Sequence, residues 1–202
     1  MALPKTKPCF TVQQYLALER TSHERHEYLD GVIFAMAGES LSHGRISMNL
    51  ALIFGSQLKG RPCEAFIKDT KILSGPDAPN CLHKRGLFSY PDLVVICGEP
   101  ESLDDKGDVL LNPKVIVEIL SPTTESFDRV AKCERYQMYN PTLTDYLLVW
   151  QDKPQIERSS RQADGGWLVH RHIGLDASVP LPTIECQVAL SDVYDRVVFP
   201  AE

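Results

Sequence analysis

A carboxylate inside an apolar run constrains this chain more than any other feature of its sequence. Glu118 lies within residues 115–120, where every other side chain is aliphatic. An ionised carboxylate is costly to bury without a partner, so an acid in such a strand usually binds something. The two-residue period of a strand places Ile116, Glu118 and Leu120 on one face. The sequence therefore predicts a buried strand with one acid that requires a partner.

A second acid, Asp92, opens another apolar run. Pro91 precedes Asp92, and residues 93–96 are all aliphatic. Because proline suits only the first position of a strand, this segment is expected to begin a strand of the core. If the two strands are neighbours, Asp92 and Glu118 each offer one carboxylate to the same point. This arrangement suits a hard divalent cation such as Mg²⁺, which takes one or two carboxylates and keeps several waters for a phosphate substrate.

Composition and charge narrow the class of protein. The 202 residues are 43% hydrophobic and 24% charged, which predicts one globular domain with a sizeable core. The net charge of −6 disfavours a surface that binds nucleic acid non-specifically, although a local basic groove remains compatible with it. The apolar runs are strand-sized and the N-terminus lacks the apolar region of a signal peptide, so we expect a cytoplasmic protein without a membrane span. The six cysteines include no CxxC pair, which predicts reduced thiols and no disulfide.

Periodicity and turn signals predict alternating helices and strands. Thr11 caps a helix through about Arg20, and Asp30-Gly31 turns a hairpin. Strands joined through a helix indicate an α/β fold on a mixed sheet, with a right-handed parallel crossover after the Glu118 strand. We place the core at about residues 11–150 and a β-rich extension at 151–202. The other predicted elements are helices at 41–58 and 125–139, strands at 64–74, 146–150, 155–160 and 167–173, irregular loops at 75–89 and 98–113, and a tail at 184–198 that is either helix or strand.

The predicted helix at 125–139 carries a candidate lysine. Asp128, Lys132 and Tyr136 belong to a polar stripe along one side of this helix. If that side faces the site, Lys132 can reach back toward Glu118. Alternatively, Asp128 and Lys132 form an exposed ion pair at i,i+4 spacing. Lys71, in the strand at 64–74, is the reserve candidate for a lysine at the site.

Together these residues resemble the Uma-type family of restriction-endonuclease-like proteins, a bacterial branch of the PD-(D/E)xK nuclease superfamily. The similarity covers roughly residues 11–150, and its most specific part is the E-x-L-S-P stretch that begins at Glu118, with Lys132 in the next helix. The other matching residues are Pro91-Asp92, Tyr136, the stretch 27–31 (EYLDG) and His43.

The resemblance implies a restriction-endonuclease-like mixed β-sheet flanked by helices, with an additional N-terminal hairpin and C-terminal strands. It also implies a metal-dependent endonuclease that hydrolyses DNA phosphodiester bonds. Asp92 and Glu118 would bind Mg²⁺ or Mn²⁺ with the help of the Ile119 carbonyl, and Lys132 would orient or activate a water. Glu27 would be an outer ligand or a ligand of a second metal ion. Leu120 stands where the superfamily usually has its lysine, and Lys132 fits the position to which this branch moves it.

Two other functions remain open at this point. A catalytically silent binding or accessory protein agrees with the missing strand lysine and the acidic charge, and a hydrolase of a small phosphoester needs no basic surface. A basic strip near the two acids would favour DNA, whereas a closed acidic pocket would favour the small substrate. The strip would be built from Lys59, Arg61, Lys68, Lys71, Lys84, Arg85 and Lys132.

Structural roles compete for each candidate residue as well. Asp92 could be satisfied by loop amides, Glu118 could pair with Lys71 or Lys114, Glu27 could be a solvated hairpin acid, and His43 could belong to a capping turn. A homodimer would cover the exposed hairpin expected at 155–173 and the apolar tail.

Overall fold

The computed structural model describes residues 9–36, 38–76, 86–122 and 124–200. The helices are α1 (Val12–Glu19), α2 (Leu41–Leu58), α3 (Cys133–Tyr139) and α4 (Leu190–Val193), with a π-helical segment at Phe127–Lys132 and a 3-10 turn at Pro182–Ile184. The strands are β1 (His26–Leu29), β2 (Val32–Ala35), β3 (Cys63–Ile67), β4 (Lys71–Ser74), β5 (Leu87–Ser89), β6 (Leu93–Cys97), β7 (Val109–Leu110), β8 (Val115–Leu120), β9 (Asp145–Trp150), β10 (Gln155–Arg161), β11 (Trp167–Ile173), β12 (Ser178–Leu181) and β13 (Cys186–Ala189).

A mixed sheet organises the described part of the chain. Its strand order is β11-β10-β9-β8-β6-β3, with β8 and β9 parallel and β6 antiparallel to β8. The expected parallel crossover and the expected neighbouring strands of the two acids are therefore both confirmed. A second sheet has the order β2-β1-β5-β4-β7, and β12 pairs with β13. The α/β class predicted from the sequence is confirmed.

The two faces of β8 pack against different layers. Val115, Val117 and Ile119 belong to a core that includes residues of α2. Ile116 and Leu120 belong to a second core, which includes Tyr136 and Tyr146. Glu118 shares the face of Ile116 and Leu120, so its carboxylate is directed toward the helical segment that follows β8.

Local signals in the first third of the chain specify their elements well. Thr11 accepts a hydrogen bond from the Gln14 amide, and the Gln14 side chain accepts one from the Thr11 amide, which completes a capping box. Asp30 and Gly31 have φ angles of 46° and 94°, as a two-residue hairpin turn requires. Ser40 caps α2, which spans the predicted residues.

The prediction of one strand over residues 64–74 is wrong. Lys68 and Asp69 adopt left-handed φ angles of 33° and 44°, and they divide the segment into β3 of the mixed sheet and β4 of the second sheet. Alternation of side chains predicts extended backbone but not which sheet receives it. The loops predicted at 75–89 and 98–113 likewise contain β5 and β7, and the tail forms β13 followed by α4. Residues 77–85, which include Lys84 and Arg85, lie outside the described residues.

The expectation of reduced cysteines also requires correction. Cys63 and Cys97 form a disulfide between β3 and β6. They are 34 residues apart in sequence but directly opposite in the antiparallel register, with Cα atoms 3.9 Å apart. The absence of a CxxC pair could not reveal this partnership because only strand pairing creates it.

The helix predicted at 125–139 begins with a wider turn than an α-helix. Phe127–Lys132 is π-helical and continues directly into α3. Such segments are rare and frequently occur at functional sites. Asp128 and Lys132 lie within this turn and are only 2% and 5% exposed. The alternative of an exposed Asp128–Lys132 pair is therefore wrong, because the pair forms in the interior.

Among the described helices, none has the length and apolar character needed to cross a membrane.

Candidate active site

A cavity of about 570 Å³ lies where the β1–β2 hairpin, the N-terminus of α2, the end of β8 and the π-helical segment meet. Asp92 and Glu118 both line it, so the two acids lie on the same side of the mixed sheet. Glu27 and Lys132 line the same cavity. The structure therefore brings all four predicted catalytic side chains together.

Lys132 contacts three carboxylates at the base of this cavity. Its Nζ lies 2.9 Å from Glu27 Oε1, 3.1 Å from Glu118 Oε1 and 3.0 Å from Asp128 Oδ1. The approach to Asp128 is too oblique for a hydrogen bond, and Asp128 Oδ1 accepts none from the described residues. The Tyr136 hydroxyl donates to Glu118 Oε1 at 2.8 Å. Glu118 thus has one ammonium and one phenol as partners.

Burial and the neighbouring carboxylates control the ionisation of this cluster. Burial raises the pKa of Glu118 well above its usual value; the Lys132 charge opposes this, and Asp128, Asp92 and Glu27 reinforce it. Burial alone would lower the pKa of Lys132, but the surrounding carboxylates, first Glu118, raise it well above the usual value. Lys132 therefore remains an ammonium at neutral pH.

Asp92 is held by a helix and by the adjacent strand. His43 Nε2 lies 2.7 Å from Asp92 Oδ1, and the Ile119 amide donates to Asp92 Oδ2 at 2.7 Å. His43 occupies the first turn of α2, where its own amide donates to the Ser40 cap. Glu39 lies beside them, and one ligand atom from each of Glu39, His43 and Asp92 falls within 4.8 Å of the others. The amide that satisfies part of Asp92 comes from strand β8 and not, as the structural alternative expected, from a loop.

The other predicted cations lie away from this cluster. Lys71 Nζ binds Asp108 at 3.0 Å and lies over the Tyr90 ring, so Glu118 pairs with Lys132 and not with the reserve lysine. Lys68 pairs with Glu39 at the cavity entrance. Lys59 and Arg61 line a separate cleft beside the end of α2. Within the described residues, the predicted basic strip does not assemble around the two acids.

The donor set of the cavity fits a divalent cation. Among the described residues, five carboxylates (Glu27, Glu39, Asp92, Glu118 and Asp128) and one ammonium, that of Lys132, line the cavity, and one imidazole contacts Asp92. This excess of anionic oxygen is what a hard cation such as Mg²⁺ requires. Asp92, Glu118 and the Ile119 carbonyl are the groups that could hold it, as the sequence predicted, and their role stays a prediction.

Sequence reasoning assigned no role to three residues of this cluster and of the cavity entrance, namely Asp128, Tyr136 and Glu39. Asp128 was placed on the polar stripe of the helix but given no role at the site, because an i,i+4 pair in an α-helix is ordinarily exposed and the π turn is invisible in the sequence. Tyr136 matched the family resemblance without an assigned role; it packs in the second core, and its hydroxyl also links Ser89 to Glu118. Glu39 could have been noticed, since it directly precedes the Ser40 cap and lies one turn before His43.

Comparison with known proteins agrees with this architecture. The family model described as "Uma2: Putative restriction endonuclease" matches residues 12–191. The Uncharacterized protein slr1290 of Synechocystis sp. (strain ATCC 27184) is 34% identical over 197 residues, which are 97% of this chain and 95% of that protein. The Uncharacterized protein sll1609 of the same strain is 28% identical over 179 residues, 89% of this chain and 96% of that protein.

A solved structure shares the fold. It is described as a putative nuclease belonging to DUF820 from Anabaena variabilis ATCC 29413, and it aligns with a TM-score of 0.71 and 18% sequence identity over 94% of this chain and 99% of that chain. The mixed sheet and its flanking helices thus form a restriction-endonuclease-like nuclease fold. On the extent of the family match, the chain belongs to the Uma2 family of putative restriction endonucleases.

Proposed function

We propose that this protein is a metal-dependent endonuclease that hydrolyses phosphodiester bonds of DNA. The observation that carries the proposal is the contact of Lys132 with Glu118 at the base of a cavity that Asp92 also lines. In this proposal Lys132, from the helical segment after β8, supplies the ammonium that Leu120 on the strand cannot provide.

Each residue has a distinct role in this proposal. Asp92, Glu118 and the Ile119 carbonyl would hold Mg²⁺ or Mn²⁺, which supplies Lewis-acid polarisation of the phosphate and a more acidic bound water. Lys132 orients the attacking water and the phosphate by hydrogen bonding. In this proposal it is a hydrogen-bond donor and not a base, in keeping with a pKa that the surrounding carboxylates raise. Glu27 fixes the position of the Lys132 ammonium.

A hydrolase of a small phosphoester is the second candidate. Two observations favour it: the cavity base is acidic, and the described cations of the predicted basic strip are paired or lie elsewhere. DNA affinity depends largely on lysine and arginine contacts to phosphates. Cleavage of a small diester without cleavage of DNA would support this candidate.

Plasmid nicking tests the main proposal. Purified protein is incubated with supercoiled DNA in Mg²⁺, in Mn²⁺ or in EDTA, and bis(p-nitrophenyl) phosphate serves as the small diester. We expect nicking only with a divalent cation, and its loss in Glu118→Gln. The matched control is Glu64→Gln, which makes the same chemical change at an exposed position of β3. A wild-type protein inert on both substrates would support the catalytically silent binding protein instead.

A homodimer stays a prediction. β11 is the edge strand of the mixed sheet, and its Leu168 and Ile173 side chains are 57% and 65% exposed. An exposed apolar edge strand requires protection from non-specific pairing. Sedimentation of the purified protein would establish whether a second copy provides it.

A further inference from the structure

We propose a second divalent-cation site at the entrance of the cavity, formed by Glu39, His43 and Asp92, which takes a first-row transition ion such as Mn²⁺. The inference deepens the proposed function and rests on it, because the second site shares Asp92 with the proposed catalytic metal site. Occupancy of the second site can nevertheless be measured without any cleavage.

The start of α2 builds this site. The Ser40 side chain caps the helix by accepting from the His43 amide, and it also contacts Gln151 Oε1 at 2.6 Å. Glu39 directly precedes the cap, so Glu39 and His43 extend from the same end of the helix. His43 Nε2 is already 2.7 Å from Asp92 Oδ1, and one ligand atom of each of the three residues lies within 4.8 Å of the others.

The ligand types indicate which ion is preferred. Two carboxylates and one imidazole combine hard oxygen donors with a nitrogen donor, and imidazole favours transition ions over Mg²⁺. The two carboxylates also provide the charge needed against the partial positive charge of the α2 N-terminus, which opposes a cation there. A cation is therefore held beside this helix terminus only if more than one anionic ligand contacts it, and Glu39 and Asp92 provide two.

Binding requires two contacts to change. The His43–Asp92 bond must give way to bonds from each residue to the ion. Glu39 must leave Lys68, its ion-pair partner at the cavity entrance. The Lys68 side chain is 41% exposed, so water can solvate its ammonium when the pair opens. Exposed ion pairs contribute little to stability, and this exchange is therefore a small obstacle.

The same geometry argues against Glu27 as the ligand of a second ion. Glu27 Oε1 accepts from the Tyr90 amide at 3.2 Å and contacts Lys132 Nζ at 2.9 Å. Its carboxylate thus already has a backbone amide and the shared Lys132 ammonium as partners, and it is not part of the Glu39–His43–Asp92 group. The ion-pair partner of Glu39 is Lys68, which is partly exposed at the cavity entrance. His43 has no charged partner besides Asp92 among the described residues.

Mn²⁺ titration followed by electron paramagnetic resonance of the free ion tests the proposal. His170 and His172 are neighbours on exposed β11, with ring centroids 4.8 Å apart, and could bind Mn²⁺ on their own. All proteins therefore carry His170→Ala. We expect Glu118→Gln in this background to retain one Mn²⁺ per chain, and the addition of His43→Ala or Glu39→Gln to weaken its binding at least about tenfold. Losing a direct ligand should cost no less than losing an outer partner, which typically costs 10- to 100-fold.

His23→Ala is the matched control, because His23 is exposed and does not line the cavity. It should leave Mn²⁺ affinity unchanged, and His43→Ala should also reduce the preference for Mn²⁺ over Mg²⁺. Glu39→Gln keeps the test decisive if His43→Ala fails to fold. Unchanged Mn²⁺ affinity in a folded His43→Ala or Glu39→Gln protein would overturn the proposal. Mn²⁺ binding that depends on His43 in a protein inert on DNA would refute the proposed endonuclease and leave this site standing.

Discussion

Replacing Lys132 by methionine should strongly destabilise the metal-free protein. Methionine preserves the length and apolar stem of the side chain but removes the only ammonium that the structure places among Glu27, Glu118 and Asp128. Removing one partner of a buried ion pair typically costs about 3–5 kcal/mol, since the remaining charge is left uncompensated. For a chain of this size, Tm changes by about 2–4 °C for each kcal/mol of unfolding free energy, so Tm should decrease by about 6–20 °C.

Urea unfolding in EDTA at pH 7 measures the effect as a change in midpoint at constant slope. Lys106→Met is the matched control, because Lys106 is exposed, and it should change the free energy of unfolding by no more than about 0.5 kcal/mol. If Lys132→Met does not fold, the double variant Lys132→Met with Glu118→Gln should recover part of the stability, since it removes one of the three carboxyl groups that have lost their ammonium partner. A loss below about 1 kcal/mol would refute the view that Lys132 neutralises this cluster.

Three further predictions concern the same structure. Glu118→Gln should leave the metal-free protein equally or more stable at pH 7, because the pKa of Glu118 is raised on folding. Glu118 therefore subtracts from the stability of the wild type as the pH rises above about 4.5, and urea unfolding at several pH values should show the advantage of the variant decreasing toward pH 4.5. Tyr136→Phe removes the hydroxyl between Ser89 and Glu118 and should cost about 1 kcal/mol, with an even higher Glu118 pKa in a pH titration of stability. Serine at both Cys63 and Cys97 should lower the free energy of unfolding by up to about 4 kcal/mol for a separation of 34 residues, and a reductant that leaves wild-type stability unchanged would contradict the disulfide.

Local chemistry was enough to identify the elements that carry the site. Asp30-Gly31 specifies a hairpin because few residue pairs tolerate two positive φ angles, and Thr11 and Ser40 specify helix starts through their caps. Glu118 marks its strand as functional because burying a carboxylate without a partner is costly at any position. Asp92 was a candidate because it opens a second apolar run, and Lys132 because of its place on the polar stripe and the family resemblance.

Tertiary structure alone decided which partners these groups have. The sequence favours an exposed pair of Asp128 and Lys132, whereas the π turn directs both side chains into the interior. Lys71 alternates like a site residue, yet the left-handed backbone at 68–69 sends its strand to the second sheet and its ammonium to Asp108.

The same limit applies to the cysteines and to the entrance of the cavity. Cys63 and Cys97 meet only because β3 and β6 pair in register. Glu39 approaches Asp92 only because the N-terminus of α2 lies beside the start of β6. The sequence by itself determined which charges must be compensated, since the cost of burying a charge is local to each residue. The fold determined which groups compensate these charges, because contacts between residues far apart in sequence depend on how the sheets and helices pack.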